Sequence, residues 1–118
     1  MQLTSKTIRL TFLGGAFGTV LRFALFVTLG DLPSVLIVNL IGSALIGWFN
    51  GNKKLDTDEF NAFWKTGFAG GFTTMSGFAA LIVLYTQNLG ALPIVAAVLI
   101  TGVSVAAYWF AYKIARTR

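Results

Sequence analysis

The residues richest in chemistry lie between positions 67 and 77, which read Gly-Phe-Ala-Gly-Gly-Phe-Thr-Thr-Met-Ser-Gly. Gly67, Gly70 and Gly71, followed by Thr73, Thr74, Ser76 and Gly77, are poor material for an uninterrupted apolar helix. A break here would free backbone carbonyls. At membrane depth such groups persist only when they are buried in protein or face a water-filled cavity. The pattern therefore predicts an ion site built largely from backbone, as in transporters with discontinuous helices. The competing reading is a Gly/Thr packing face on a continuous helix. Small and polar residues on several faces favour the break.

Phe72, Met75 and Phe78 recur at every third position. Such a stripe ordinarily means lipid-facing or core packing. A sharper reading uses the positive edge of an aromatic ring, which can stabilise an anion where no cation is affordable. Asn39 forms a narrow polar, small-residue stripe with Gly42, Ser43, Ile46 and Gly47. Its amide is either an interhelical hydrogen bond or a donor lining an aqueous path. Arg22 follows Gly14 and Gly18 at four-residue spacing. The two glycines predict close helix packing. Arg22 is either a functional intramembrane charge or a side chain snorkelling to the nearer headgroups. Thr101, Gly102, Ser104 and Ala106 read as packing, with hydroxyls at a pore wall as the lesser alternative.

These residues must be carried by membrane helices. The 118-residue chain is 56% hydrophobic and only 11% charged, whereas soluble domains are about one quarter charged. Four apolar runs cover about 10–30, 33–50, 63–86 and 92–112, each near the roughly 17–25 residues that cross a bilayer. Lys6 and Arg9 resemble the basic start of a signal peptide, but Gly14, Gly18 and Arg22 interrupt the run behind them, so the first helix is expected to be retained. Pro33 suits the first turn of the second helix, after a tight turn at 31–33. The longest loop is the polar stretch 51–62. Trp48, Trp64, Tyr85, Trp109 and Tyr112 fall near the ends of runs, as aromatic-belt residues do. The expected architecture is one all-α transmembrane domain spanning 1–118, with its third helix broken.

Charge gives an orientation. Lys6, Arg9, Lys53, Lys54, Lys65, Lys113, Arg116 and Arg118 lie on one side of the four spans, and the opposite turns carry only Asp31. This bias predicts cytoplasmic termini in the cell membrane. The basic residues form no dense cluster with interleaved aromatics, so nucleic acid is not an expected partner. The chain has no Cys and no His, which removes thiolate and imidazole catalysis and the usual zinc sites. No nucleophile–base pair is visible, so no enzyme is expected. No Asp or Glu lies within the four runs, which argues against a proton-coupled small multidrug exporter. That exporter class and a non-conducting membrane scaffold are the alternatives to a channel.

Three motifs resemble a known family. Residues 14–23 (Gly-Gly-Ala-Phe-Gly-Thr-Val-Leu-Arg-Phe), residues 38–42 (Val-Asn-Leu-Ile-Gly) and residues 67–76 resemble, in order and spacing, the first three helices of Fluc/CrcB fluoride channels. The resemblance covers nearly the whole chain. It implies passive fluoride efflux that confers fluoride resistance, an antiparallel dimer of four-helix subunits, and a structural sodium ion at the dimer interface. By motif, Asn39 would be a pore donor, and Gly70 and Thr73 would offer backbone carbonyls to the sodium ion. Thr74 and Ser76 would belong to the break or its polar track, beside Ser43 and Phe78, and Arg22 would match the family's first-helix arginine. Two positions depart from the pattern, since the family usually has Phe at Met75 and Thr at Gly77. With the one-sided charge, these departures predict a partner that is a homologous chain of opposite orientation, with a homodimer as the alternative.

Overall fold

The computed structural model describes residues 3–117. Helix α1 (Ser5–Leu29) begins at a reciprocal cap: the Thr4 hydroxyl accepts from Thr7 N at 3.2 Å, while Thr4 N donates to Thr7 Oγ1 at 2.9 Å. It stops at Gly30, whose φ of 89° is open to glycine and strained for other residues. Helix α2 (Asp31–Gly51) starts immediately afterwards. The turn is therefore a single residue, earlier than the expected 31–33, and Pro33 already sits inside the first turn of α2. Asp31, the first residue of α2, places its carboxylate at the positive end of the helix dipole.

The connecting loop, 52–57, is shorter than the polar stretch suggested. It contains one 3₁₀ turn, Lys53–Leu55. Thr57 caps the next helix by accepting from Phe60 N at 3.1 Å. That helix, α3 (58–72), is wound unevenly. Asp58–Phe60 is α-helical, Asn61–Ala69 is a π-helix, and Gly70–Phe72 returns to α. Thr73 and Thr74 are extended, with φ/ψ of −84°/158° and −147°/113°. Helix α4 (Met75–Leu89) resumes the span. Gly90, at φ 69°, turns the chain into α5 (Leu92–Arg116), with Pro93 in its first turn.

Four helical spans are thus long and apolar enough to cross a membrane: Ser5–Leu29, Asp31–Gly51, Asp58–Leu89 and Leu92–Arg116. At about 1.5 Å per residue, the 25 residues of α1 exceed the roughly 30 Å hydrocarbon core.

Packing between spans depends on glycine. A side chain at Gly14 or Gly18 would collide with the backbone oxygens of Phe63 and Phe68, and one at Gly71 with that of Gly15, so α1 and α3 touch backbone to backbone. Gly47 and Gly51 do the same for α2 against the carbonyls of Tyr108 and Tyr112 on α5. Between these two pairs lies a small core of Val38, Phe68 and Phe72, with Leu25, Leu45 and Trp64 packed on it. Helix α4 buries none of its side chains, and α5 buries only Ala115. Their apolar surface faces outward, as expected where lipid or another subunit takes the place of a soluble core. The Gly102–Ala106 pair is not a packing contact within the subunit, because Gly102 faces open space.

Candidate functional site

The break falls at Thr73–Thr74, inside the expected window, and a side chain from α2 holds it open. Thr74 N donates to Asn39 Oδ1 at 2.9 Å, and Asn39 Nδ2 donates to Thr74 O at 3.0 Å. The amide of Asn39 thus takes the place of a neighbouring peptide group. Thr74 also caps α4, its hydroxyl accepting from Gly77 N at 3.0 Å. Gly42 makes room for the kink, since a side chain there would collide with the Thr73 methyl group.

These bonds change the carbonyl bookkeeping. In a continuous α-helix Thr74 N would bond to Gly70 O, and Gly77 N to Thr73 O. Both N–H groups are diverted, to Asn39 Oδ1 and Thr74 Oγ1 respectively. Gly70 is exposed, with no atom within 4 Å of where a side chain would stand. Neutral carbonyl oxygens released in this way suit a monovalent cation. Among the described residues no His/Cys/Asp/Glu cluster competes for a transition metal. Gly70 and Thr73 therefore each present a backbone carbonyl released from the helical ladder.

Two grooves flank the break. The first, about 450 Å³, is lined by Asn39, Ser43 and Ile46 of α2, by Thr73, Met75 and Phe78, and by Thr101, Ser104 and Tyr108 of α5. The second, about 420 Å³, is lined by Thr19 and Arg22 of α1, Asp31 and Ser34 of α2, and Thr74, Ser76 and Gly77. The structure therefore divides the sequence candidates: Asn39, Ser43, Thr73, Met75 and Phe78 share one groove, while Arg22, Thr74 and Ser76 share the other. Thr73 and Thr74, adjacent in sequence, face different grooves because the extended backbone alternates its side chains.

Asn39 makes an interhelical hydrogen bond, and its side chain also lines the first groove. One Nδ2 hydrogen is committed to Thr74 O, and the other remains for the groove. Ser43 Oγ donates to Asn39 O at 2.8 Å, so it would have to exchange that bond to serve an anion. The stripe of Phe72, Met75 and Phe78 is split by the break. Phe72 is buried and stacks on Phe68 at 5.3 Å, whereas Met75 is 80% exposed and Phe78 is half-buried in the groove wall. Tyr108 was missed from the sequence; its position four residues after Ser104, on the same helical face, was the available signal.

The comparisons with known proteins fit this geometry. Residues 9–112 match the family described as CrcB-like protein, Camphor Resistance (CrcB). The chain belongs to the CrcB-like family. Among similar proteins, one of Bacillus subtilis (strain 168), described as fluoride-specific ion channel FluC 2, is 37% identical over 105 residues, covering 83% of this chain and 80% of that protein. A fluoride-specific ion channel FluC of Pectobacterium carotovorum subsp. carotovorum (strain PC1) is 36% identical over 70% of this chain and 72% of its own length. The match to FluC 1 of Corynebacterium glutamicum is 44% identical but spans only 57% of that protein. This CrcB-like chain is thus a multi-pass membrane protein, and all three quoted motifs of the resemblance lie within the matched region.

Proposed function

We propose that the chain is a subunit of a fluoride-selective channel that drains fluoride passively from the cytoplasm. The observation that carries this reading is the Asn39-clamped break beside a groove bearing Phe78. Fluoride is small and strongly hydrated, and a pore for it must replace water with hydrogen-bond donors and ring edges. The second Asn39 N–H and the Phe78 edge are of that kind. Downhill passage needs no titrating group, in keeping with spans whose carboxylates lie only at helix starts: Asp31 in α2, and Asp58 and Glu59 in α3. The same feature weighs against a proton-coupled exporter.

The working unit in this proposal is an antiparallel dimer. The groove is open on the side of Met75, and Gly70 and Thr73 supply only part of a cation's shell. A second subunit inserted in the opposite sense closes the groove and completes a sodium site at the interface. One-sided charge favours a homologous chain of opposite orientation over a second copy, and it supports cytoplasmic termini. The test is fluoride efflux from proteoliposomes. The reading requires efflux when the chain is reconstituted with a homologous partner, or alone should it pair with itself, and suppression of that efflux by Asn39→Asp with dimers still formed. Liposomes that retain fluoride in both preparations would point to the scaffold alternative.

A further inference from the structure

The lining of the first groove ends at Tyr108, but polar groups continue beyond it. Asn50 lies one helical turn beyond Ile46 on α2, and its Nδ2 donates to Tyr108 Oη at 3.0 Å. Tyr108 stacks on Tyr112, with ring centroids 6.2 Å apart and planes 11° apart. Tyr112 Oη accepts in turn from Arg116 Nη1 at 2.6 Å. Helices α2 and α5 touch backbone to backbone at this level, through Gly47 and Gly51. A file of polar groups therefore continues from Asn39 to the face that carries the 52–57 loop and the C-terminal end of α5. From Asn39 to Asn50 it runs about 16 Å at 1.5 Å per residue.

The direction of the hydrogen bonds is informative. Each phenol oxygen is the acceptor in its bond, from a neutral amide at Tyr108 and from a guanidinium at Tyr112. Each therefore keeps its own O–H to donate, and a phenol that accepts a hydrogen bond is polarised into a better donor. Two preset O–H donors beside a fixed cation suit a small, hard anion shedding its first waters. Two of the three acidic groups on the same face are otherwise engaged, Glu59 with Lys6 at 3.6 Å and Asp56 with Asn61, which donates to it; Asp58 is the third. Lys113, one turn from Trp109, lies over that ring at 4.3 Å and is not part of the file.

We infer that Tyr108, Tyr112 and Arg116, with Asn50 as the positioning residue for Tyr108, form the anion-collecting mouth of the conduction path. Arg116 concentrates the anion, and the two phenols replace its outer water before it reaches Ser104 and Asn39. This inference rests on the channel reading above.

The experiment is fluoride efflux from proteoliposomes over a range of fluoride concentrations and ionic strengths. Arg116→Gln and Tyr112→Phe are expected to lower flux about tenfold at low fluoride and low salt, the scale of one lost charge-assisted hydrogen bond. Flux should recover toward wild type at high fluoride, because collection rather than passage is impaired. Tyr108→Phe should lower flux at every concentration. Lys113→Gln, which removes the same charge from the same face, should change flux less than about twofold, as expected of a screened surface charge. If wild-type liposomes conduct neither with nor without a homologous partner chain, the channel reading fails and the mouth fails with it. If wild type conducts and the Tyr112 and Arg116 variants behave like Lys113→Gln, the mouth alone is overturned. Thermal unfolding of each variant identifies any loss of flux that comes from misfolding; should Tyr108→Phe misfold, the comparison of Tyr112→Phe with Lys113→Gln decides.

Discussion

Asn39 and Thr74, 35 positions apart, exchange two hydrogen bonds at 2.9 and 3.0 Å, so that a side-chain amide does the work of a peptide group. Asn39→Asp keeps the acceptor but sets a carboxylate oxygen against Thr74 O, where a donor is needed. The expected result is suppressed fluoride flux and a stability loss of about 1–3 kcal/mol, the usual scale for an orphaned buried polar group. Flux assays with chemical unfolding in detergent check both. Unchanged flux would remove Asn39 from the pore.

Thr74 acts a second time as the N-cap of α4. Thr74→Val should cost about 1 kcal/mol and loosen the break, while Thr74→Ser should retain both the cap and the conduction. Equal stability of the two variants would show that the Gly77 N–H finds another partner.

The contact between α1 and α3 tolerates no methyl group. Gly18→Ala meets the Phe68 carbonyl, and Phe72 N at 2.8 Å, both backbone, so the helices must separate. A loss of about 1–3 kcal/mol is expected, as for overpacking elsewhere. Gly102→Ala, which faces open space within the subunit, should leave subunit stability unimpaired in the same unfolding assay.

Met75→Phe adds a ring on a surface that is 80% exposed, so nothing within the subunit resists it. Under the proposed channel reading, flux past the groove that Met75 lines should be preserved or increased. Loss of dimer on size-exclusion chromatography would instead assign Met75 to subunit packing.

Orientation can be read directly because the described chain has no cysteine. A single cysteine placed in the 52–57 loop should react with an impermeant reagent only from the cytoplasmic side. Labelling from both sides, together with robust transport by the chain alone, would refute the paired-chain assembly and support a homodimer.

The spans and the break were legible because composition expresses them locally. Gly70, Gly71, Thr73 and Thr74 each weaken a helix where they stand, and no distant partner is needed to see it. The bond from Asn39 to Thr74 was not legible as such, because its two ends meet only after α2 and α3 pack. The π-helical winding of Asn61–Ala69 left no local mark either. The spacing of Phe72, Met75 and Phe78 misled for a related reason. A three-residue period means one face only while the helix is continuous, and the extended Thr73–Thr74 pair resets the phase between Phe72 and Met75.

The two turns opposite the termini are Gly30 alone and the pair Gly90–Ala91. In the orientation that the basic residues predict, little that is hydrophilic beyond Asp31, Gln87 and Asn88 has to be carried through the bilayer between α1 and α2 and between α4 and α5. Each helical pair can enter the membrane as a hairpin, with no exported loop to drive or resist translocation. The decision about sidedness is then left to the basic residues that stay behind, and moving a few lysines should be enough to turn the whole chain over.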